Sequence, residues 1–274
     1  MTSDGIQQKY EVLRGAIAGL GRVAVAFSGG VDSTLLLKVA HDVLGDDAVA
    51  VTARLHSHPV WEDEDAQAFT RGQGIRHISF DMDELQIKGF AENPANRCYL
   101  CKKAIMQKIV GIAGENDILH ILEGSNTDDD GDFRPGTQAV RELGILTPLR
   151  EAGLSKEEIR LLSKELGLPT WDKPSCACLS SRFAYGEGIT REKLEMVEKA
   201  ELLLRDMGFK QVRVRVHGEL ARIEIGREDM DRILDKELLG KIERELKRIG
   251  FLYATLDLAG YRTGSMNEVL RVKK

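Results

Sequence analysis

The chain has 274 residues, of which 42% are hydrophobic and 30% are charged, and its net charge is −5. At about 100–200 residues per domain, this length predicts two domains. The balance of 39 basic against 44 acidic residues argues against a long disordered tail and against a uniformly basic nucleic-acid surface. Four cysteines form two close pairs, Cys98 with Cys101 and Cys176 with Cys178. They are too few to cross-link a chain of this length with disulfides.

The amino-terminal region carries charges at Asp4, Lys9, Glu11 and Arg14 and has no apolar core typical of a signal peptide. No stretch approaches the roughly 18 apolar residues that a membrane-spanning helix needs. We therefore expect a soluble cytoplasmic protein with no membrane partner. In such a reducing compartment, paired cysteines more often bind metal or carry out redox chemistry than form structural disulfides.

Strands and helices are predicted to alternate through the first part of the chain. The predicted strands are short apolar, β-branched runs at 22–27, 48–53, 75–80 and 118–122. The predicted helices are 6–20, 34–44, 61–71, 99–113 and 155–166. The last of these opens with a capping box formed by Ser155 and Glu158. This alternation predicts an α/β fold with a doubly wound parallel sheet.

The carboxyl-terminal part has a different pattern. Residues 173–188 lack periodicity and contain Pro174, Gly186 and Gly188, which predicts a junction loop between a domain at 1–172 and a second domain at 189–274. The second domain is predicted to be a smaller α+β module that contains a β-hairpin. Its predicted helices are 190–207, 227–235 and 236–249, and its predicted strands are 212–216, 221–225 and 252–258.

A glycine-rich loop follows the first predicted strand. It comprises Ser28, Gly29, Gly30, Val31, Asp32 and Ser33. Glycines let backbone N–H groups approach a phosphate, and the following helix N-terminus favours negative charge. The hydroxyls of Ser28 and Ser33 can donate hydrogen bonds, and Asp32 is a predicted Mg²⁺ ligand. The alternative is a simple turn with a serine cap, which is less favoured because the strand, the loop and the helix all agree.

This loop lacks the G-x-x-x-x-G-K-[ST] pattern of a Walker loop. It resembles the SGGxDS loop of the ATP pyrophosphatase (PP-loop) superfamily. The resemblance implies ATP and Mg²⁺ as cofactors. It also implies that a substrate oxygen is adenylated with release of pyrophosphate, and that a nucleophile then displaces AMP.

Residues after the fourth predicted strand are expected to line the same site, because loops at the carboxyl ends of parallel strands meet at the ligand crevice. Gly124 is predicted to admit the nucleotide, and Asp128 is predicted to assist Mg²⁺ binding. The alternative is a solvated acidic turn, which is the preferred interpretation for Asp129 and Asp130.

The cysteine spacing leaves several interpretations open. Four thiolates suit a structural zinc site, although the Cys176-x-Cys178 spacing is tighter than usual. Cys98 and Cys101 alone suit a redox dithiol. Three cysteines suit an iron–sulfur cluster with one open iron, and four unrelated thiols are also compatible. The cysteine spacing alone favours a zinc site and an iron–sulfur cluster about equally.

Strand periodicity places Arg213 and Arg215 on one side of a predicted strand and Glu224 on the matching side of its partner. Two guanidinium groups offer forked donors suited to a phosphate. From the pattern alone, an ordinary solvent face with cross-strand ion pairs is favoured.

Several segments resemble the ATP-dependent sulfur transferases that build the nickel-pincer nucleotide of lactate racemase, the LarE family. These segments are 132–136, 173–186, 213–215, 221–224 and 260–267. The resemblance implies that a carboxylate of a pyridinium mononucleotide, of the pyridinium-3,5-biscarboxylate type, is adenylated and converted to a thiocarboxylate. It also implies a homo-oligomer. The implied substrate-binding residues are Ser181, Arg182, Arg213, Arg215 and Glu224, with Ser28, Asp32, Ser33 and Cys178 as catalytic residues.

The Cys98–Cys101 pair resembles the branch of that family that carries a [4Fe-4S] cluster. The resemblance implies Cys98, Cys101 and Cys178 as its ligands, and leaves Cys176 without a role. In the other branch the loop cysteine is a sacrificial sulfur donor. The two alternative functions are a PP-loop enzyme that thiolates tRNA and a nucleotide- or metal-binding module without turnover. The acidic net charge and the lack of an RNA-binding motif argue against a nucleic-acid partner.

Overall fold

The computed structural model describes residues 3–131, 135–174, 177–262 and 264–268. The described residues form two compact units. The first unit comprises the residues up to Asp83 and those from Asn96 to Pro174, and the second comprises Glu84–Ala95 and the residues from Ala177 onward. Within these ranges, no helix is long and apolar enough to cross a membrane.

The first unit is built on a four-stranded parallel sheet, as predicted. Its strands are β1 (Val23–Ala26), β2 (Ala48–Arg54), β3 (His77–Asp81) and β4 (His120–Leu122), in the order β3-β2-β1-β4. The runs VAVA and AVAVTAR consist of small and β-branched residues, which suit strands that are covered on both faces. The carboxyl ends of β1 and β4 therefore lie side by side.

Helices cover both faces of this sheet, which makes it doubly wound. One apolar layer contains Leu13, Leu36 and Leu162, and the opposite layer contains Met106 and Val140. The helices of the first unit are α1 (Ser3–Ala18), α2 (Val31–Leu44), α3 (Val60–Gln73), α4 (Arg97–Glu115), α5 (Gly136–Glu142), α6 (Pro148–Glu151) and α7 (Lys156–Glu165). The predicted capping box at the start of α7 is present.

The second unit is the smaller α+β module. Its sheet has the order β5-β6-β7, with β5 (Val212–His217) antiparallel to β6 (Leu220–Ile225) and β6 parallel to β7 (Tyr253–Leu256). Its helices are α8 (Arg191–Asp206), α9 (Met230–Ile233) and α10 (Lys236–Ile249). The predicted helix at 227–235 is a 3₁₀ turn followed by the short α9.

Candidate active site

The glycine-rich loop joins the end of β1 to the start of α2. Gly30 is the extended residue before the helix, and no side chain caps the first turn. Gly29 has φ +69°, and a Cβ built there would lie 3.3 Å from the Cβ of Ala66. Both the backbone conformation and the close packing require glycine at this position. The uncapped N–H groups at the start of α2 suit an anion.

Two serine hydroxyls hold the loop in shape. The Oγ atoms of Ser28 and Ser33 share a hydrogen bond of 3.1 Å, and the N–H of Gly30 donates to Ser28 Oγ at 3.4 Å. Ser33 Oγ also lies 3.2 Å from the carbonyl of Gly30, to which it donates. Val31 is buried in the apolar core and anchors the first turn of α2. The phosphate loop is therefore largely preformed.

A cavity of about 390 Å³ opens beside this loop, entirely within the first unit. It combines residues from the phosphate loop, the segment after β4, the first turns of α4 and the start of α5. The polar side chains that line it include Ser28, Asp32, Ser33, Lys102, Glu123 and Asp129. A Cβ on Gly124 would lie 3.1 Å from the N atom of Ser33, so only glycine lets this segment pass so close to the phosphate loop.

Lys102 brings positive charge to the cavity wall. Its Nζ donates to Glu123 Oε1 at 2.7 Å, and Ser125 donates to Glu123 Oε2 from both its N–H, at 2.9 Å, and its hydroxyl, at 2.6 Å. Burial alone would raise the pKa of Glu123, but the charge and hydrogen bond of Lys102 and the Ser125 donors outweigh it and lower that pKa. Glu123 is thus an ionised, fixed support for Lys102.

Asp32, the predicted magnesium ligand, contacts Lys156 and Asn126. The Nζ of Lys156 forms an ion pair with Asp32 Oδ2, and Asn126 Nδ2 donates to Asp32 Oδ1 at 3.2 Å. Asp128 accepts a hydrogen bond of 2.9 Å from the backbone N–H of Lys156, at the start of α7. The neighbouring Asp129 is buried and lines the cavity, although the sequence favours a solvated position for it.

The first cysteine pair lies on the first turn of α4. Cys98 is exposed and lines the cavity, and Cys101 is half-buried. In the described parts of the chain, no group of three or more His, Cys, Asp or Glu side chains is placed to hold a metal ion. Cys176 lies outside the described residues.

Cys178 belongs to the second unit, where Arg182 holds its backbone. The Nη1 of Arg182 donates to the carbonyls of Ala177, at 2.6 Å, and Cys178, at 3.1 Å. Its Nε and Nη2 donate to the two carboxylate oxygens of Glu201, both at 2.8 Å. Arg182 is 1% exposed, so this side chain supports the Cys178 turn from within the unit.

The hairpin arginines share a buried polar face with Glu224. The register pairs Arg213 with Glu224, and Glu224 is completely buried. Arg215 donates to Glu224 Oε2 from Nη2 at 2.8 Å and to the carbonyl of Ser181 from Nη1 at 3.2 Å. The guanidinium of Arg213 lies 5.3 Å from the centre of the Tyr261 ring. This face therefore adjoins the Cys178 turn through Ser181.

Comparison with known proteins identifies the family. The chain is 46% identical over 265 residues to an uncharacterized protein of Synechocystis sp., with 97% of this chain and 99% of that protein covered. It is 38% identical over 263 residues to pyridinium-3,5-bisthiocarboxylic acid mononucleotide synthase of Lactiplantibacillus plantarum, with 96% and 95% covered. The chain belongs to the LarE family. No family model matches it.

More distant relatives support the PP-loop superfamily and agree with the α/β fold of the first unit. One is a glutamine-hydrolysing GMP synthase component of Archaeoglobus fulgidus, 23% identical over 205 residues, with 68% of this chain and 65% of that protein covered. This LarE-family chain is therefore an enzyme with a PP-loop nucleotide domain.

Two lysines at the candidate site of this LarE-family chain are not marked by any motif in the sequence. Lys102 and Lys156 reach the site from separate helices, and nothing in their spacing marks them. Asp128 and Asp129 are adjacent in the sequence, which does not show which of the two carboxylates faces the cavity. Parts of the family-like segments lie outside the described residues, namely 132–134, 175–176 and 263.

Replacing Glu201 by glutamine is expected to lower the free energy of unfolding by about 3 kcal/mol, because Arg182 then keeps a buried charge without its counter-ion. Urea denaturation followed by circular dichroism measures the change. The matched control is Glu195→Gln on the same helix, whose ion pair with Lys199 is exposed and which should change stability by less than about 0.5 kcal/mol. Equal effects of the two variants would contradict the role of the buried pair.

Proposed function

We propose that this chain is an ATP-dependent sulfur transferase that converts a carboxylate of a pyridinium mononucleotide into a thiocarboxylate. The observation that carries the proposal is the 38% identity over nearly the whole chain to a synthase whose name specifies a pyridinium bisthiocarboxylic acid mononucleotide. The preformed phosphate loop beside a polar cavity supports the use of ATP.

In the proposed first step, the first unit binds Mg-ATP. Ser28, Ser33 and the N–H groups at the start of α2 bind the phosphates, and Lys102 adds a positive charge. The oxygens of Asp32 and Asn126 suit Mg²⁺, which prefers oxygen ligands and neutralises phosphate charge when bound. A substrate carboxylate oxygen attacks the α-phosphorus, the bond to the β-phosphate oxygen breaks, and pyrophosphate leaves. The fixed donors stabilise the charge that develops.

In the proposed second step, a sulfur nucleophile attacks the carbonyl carbon of the acyl adenylate. The carbon–oxygen bond to AMP breaks. Sulfide gives the thiocarboxylate directly, whereas a cysteine thiolate gives a thioester, whose Cβ–S bond then breaks by β-elimination with loss of the Cα proton, leaving dehydroalanine and the thiocarboxylate. We assign Arg213 and Arg215, with Ser181 and Glu224, to the phosphate of the mononucleotide, because two forked cations suit that group. We assign Cys178 as the sulfur-bearing residue; its carbonyl accepts a hydrogen bond of 2.9 Å from the N–H of Ser181. Arg182 orients Cys178 through its backbone carbonyl.

For the sulfur source, the proposal includes a [4Fe-4S] cluster held by Cys98, Cys101 and Cys178. The exposed Cys98 and its neighbour one helical turn away supply two thiols in the first unit. Since the described side chains assemble no group of three metal ligands, we route no reaction step through the cluster. Metal analysis of anaerobically purified protein decides this part of the proposal.

The test of the function is pyrophosphate release from ATP with and without the pyridinium dicarboxylate mononucleotide. We expect pyrophosphate release to depend on this substrate. Once sulfur is supplied, the amount of pyrophosphate released should equal the amount of AMP formed. ATP binding without pyrophosphate release would indicate a nucleotide-binding module instead. Pyrophosphate release that requires tRNA and does not depend on the mononucleotide would favour tRNA thiolation.

Lys156 is expected to oppose metal binding and favour nucleotide binding, because its ammonium group pairs with the Asp32 carboxylate and therefore competes with a metal ion for that carboxylate. In Lys156→Gln, the affinity for Mn²⁺ alone should rise several-fold, since the competing cation is gone. The affinity for Mg-ATP should fall about tenfold, the equivalent of one charge-assisted hydrogen bond. Electron paramagnetic resonance and calorimetry measure the two affinities.

The matched control is Lys38→Gln, which removes an ion pair with Asp42 on α2, outside the cavity. It should change neither affinity. If both affinities fell together in Lys156→Gln, a general disturbance of the site would explain the result, and the competition at Asp32 would be refuted.

A further inference from the structure

The segment before the second cysteine pair is attached to the phosphate loop by one lysine. Lys173 Nζ donates to the carbonyl of Gly29 at 3.3 Å. It also pairs with Glu62 at 3.0 Å and Asp65 at 2.9 Å, both on α3. The Lys173 side chain is only 16% exposed. All four residues belong to the first unit, and the proposed reaction uses none of these contacts.

The backbone of this segment is also held. Arg160 of α7 donates to the carbonyls of Trp171 at 2.7 Å and Lys173 at 2.8 Å, and the N–H of Lys173 donates to Thr170 at 3.1 Å. Burial alone would lower the pKa of Lys173, but the hydrogen bond to Asp65 and the charge of Glu62 raise it above its usual value. The ammonium group of Lys173 is therefore charged at neutral pH. Hydrogen bonds and ion pairs hold both this group and the backbone of the residue.

The contact with Gly29 determines how one peptide group of the phosphate loop is oriented. In a trans peptide, the carbonyl and the next N–H point in opposite directions. The Gly29 carbonyl faces Lys173, so the N–H of Gly30 faces away from it, toward Ser28 Oγ at 3.4 Å. Ser28 lines the cavity. A peptide flanked by two glycines has low barriers to reorientation, and an external hydrogen bond selects one orientation.

We propose that Lys173 is a positioning residue that holds the Gly29–Gly30 peptide with its N–H directed into the phosphate loop. The inference rests on the proposed function in one respect, namely that this loop binds phosphate. Lys173 contacts no substrate and acts through Gly29. Because coupling between two sites is reciprocal, phosphate binding also stabilises the attachment of the segment at 171–173.

The test is equilibrium binding of pyrophosphate, ATP and adenosine to Lys173→Met by titration calorimetry. Pyrophosphate and ATP affinities should fall about tenfold, because the loop loses a preorganised donor. Adenosine affinity should stay within about twofold, because adenosine carries no phosphate. Asp65→Asn is the matched control. It removes one ion-pair partner and keeps the Gly29 contact, so its pyrophosphate affinity should be unchanged.

Three results would overturn the inference. One is an unchanged pyrophosphate affinity in folded Lys173→Met, and another is an equal loss of adenosine affinity. The third is a loss in Asp65→Asn as large as in Lys173→Met. If Lys173→Met does not fold, Lys173→Arg, which keeps a charged donor, replaces it: pyrophosphate affinity within about threefold of wild type supports the inference, and a tenfold loss refutes it. A wild-type chain that binds neither ATP nor pyrophosphate would refute the proposed function itself.

Discussion

Replacing Asp32 by asparagine is expected to slow pyrophosphate release on the order of 10³-fold. Asp32 is the carboxylate of the phosphate loop, and it lies on the cavity wall next to the close-packed Gly124. Asparagine keeps the size of the side chain but removes the negative charge that a magnesium ion requires. Single-turnover release of pyrophosphate from Mg-ATP, with the carboxylate substrate present, measures the effect.

The matched control is Asp42→Asn, which removes a paired carboxylate from the same helix, ten residues further along and outside the cavity. Its rate should equal that of the wild type. Since Asp32 is partly exposed, its replacement should leave the fold intact, which the thermal melting curve checks. Pyrophosphate release at the wild-type rate in Asp32→Asn would refute the assignment of the metal and phosphate site.

The phosphate loop can be predicted from the sequence because its functional groups lie on consecutive residues. Residues 28–33 contain the glycines, the hydroxyls and the carboxylate, and they lie between a strand and a helix whose apolar patterns are clear. The hairpin register is readable for a similar reason. A short turn at Gly218 and strict alternation leave one pairing that buries the valines, and this pairing sets Arg213 opposite Glu224.

Long-range partners are not readable in this way. Lys156 pairs with Asp32 across 124 positions, and Arg182, in the turn after Cys178, pairs with Glu201 of α8. Periodicity shows which face of a helix is polar, but not which charge it will meet. Because Arg182 lies close to Cys178 in the sequence, it is predicted to face the substrate. In the structure, its guanidinium nitrogens donate instead to Glu201 and to backbone carbonyls.

Two further differences have one local and one long-range cause. Asp128 and Asp129 lie in a 3₁₀ turn, Thr127–Gly131, where successive side chains point about 120° apart. Only one of them can face the cavity, and composition does not decide which. Residues 84–95 join the second unit through Asn93, whose side chain donates to the carbonyl of Ala184 at 2.7 Å. That contact spans 91 positions and has no local signature.

Replacing Cys98, Cys101 and Cys178 together by alanine is expected to remove all iron–sulfur absorbance from anaerobically purified protein. It should also abolish thiocarboxylate formation, because thiolates are the ligands that such clusters use and Cys178 is the proposed sulfur-bearing residue. Pyrophosphate release should stay within about threefold of wild type, since the side chains assigned to Mg-ATP, Ser28, Asp32, Ser33 and Lys102, remain in the cavity. Iron, zinc and acid-labile sulfide are measured together with both half-reactions.

Cys176→Ala is the matched control, because Cys176 is two positions from Cys178 in the sequence and has no assigned ligand role. It should retain iron and sulfur transfer. Stoichiometric zinc without iron in the wild type would exclude the cluster and favour a thiolate zinc site. Iron-free wild type that still forms one thiocarboxylate per chain would instead identify a cysteine as the consumed sulfur donor. In that case Cys178→Ala alone abolishes the product, whereas Cys98→Ala does not. These outcomes would separate adenylation from sulfur delivery within one chain and would assign the charge-bearing groups of the phosphate loop to the first step alone.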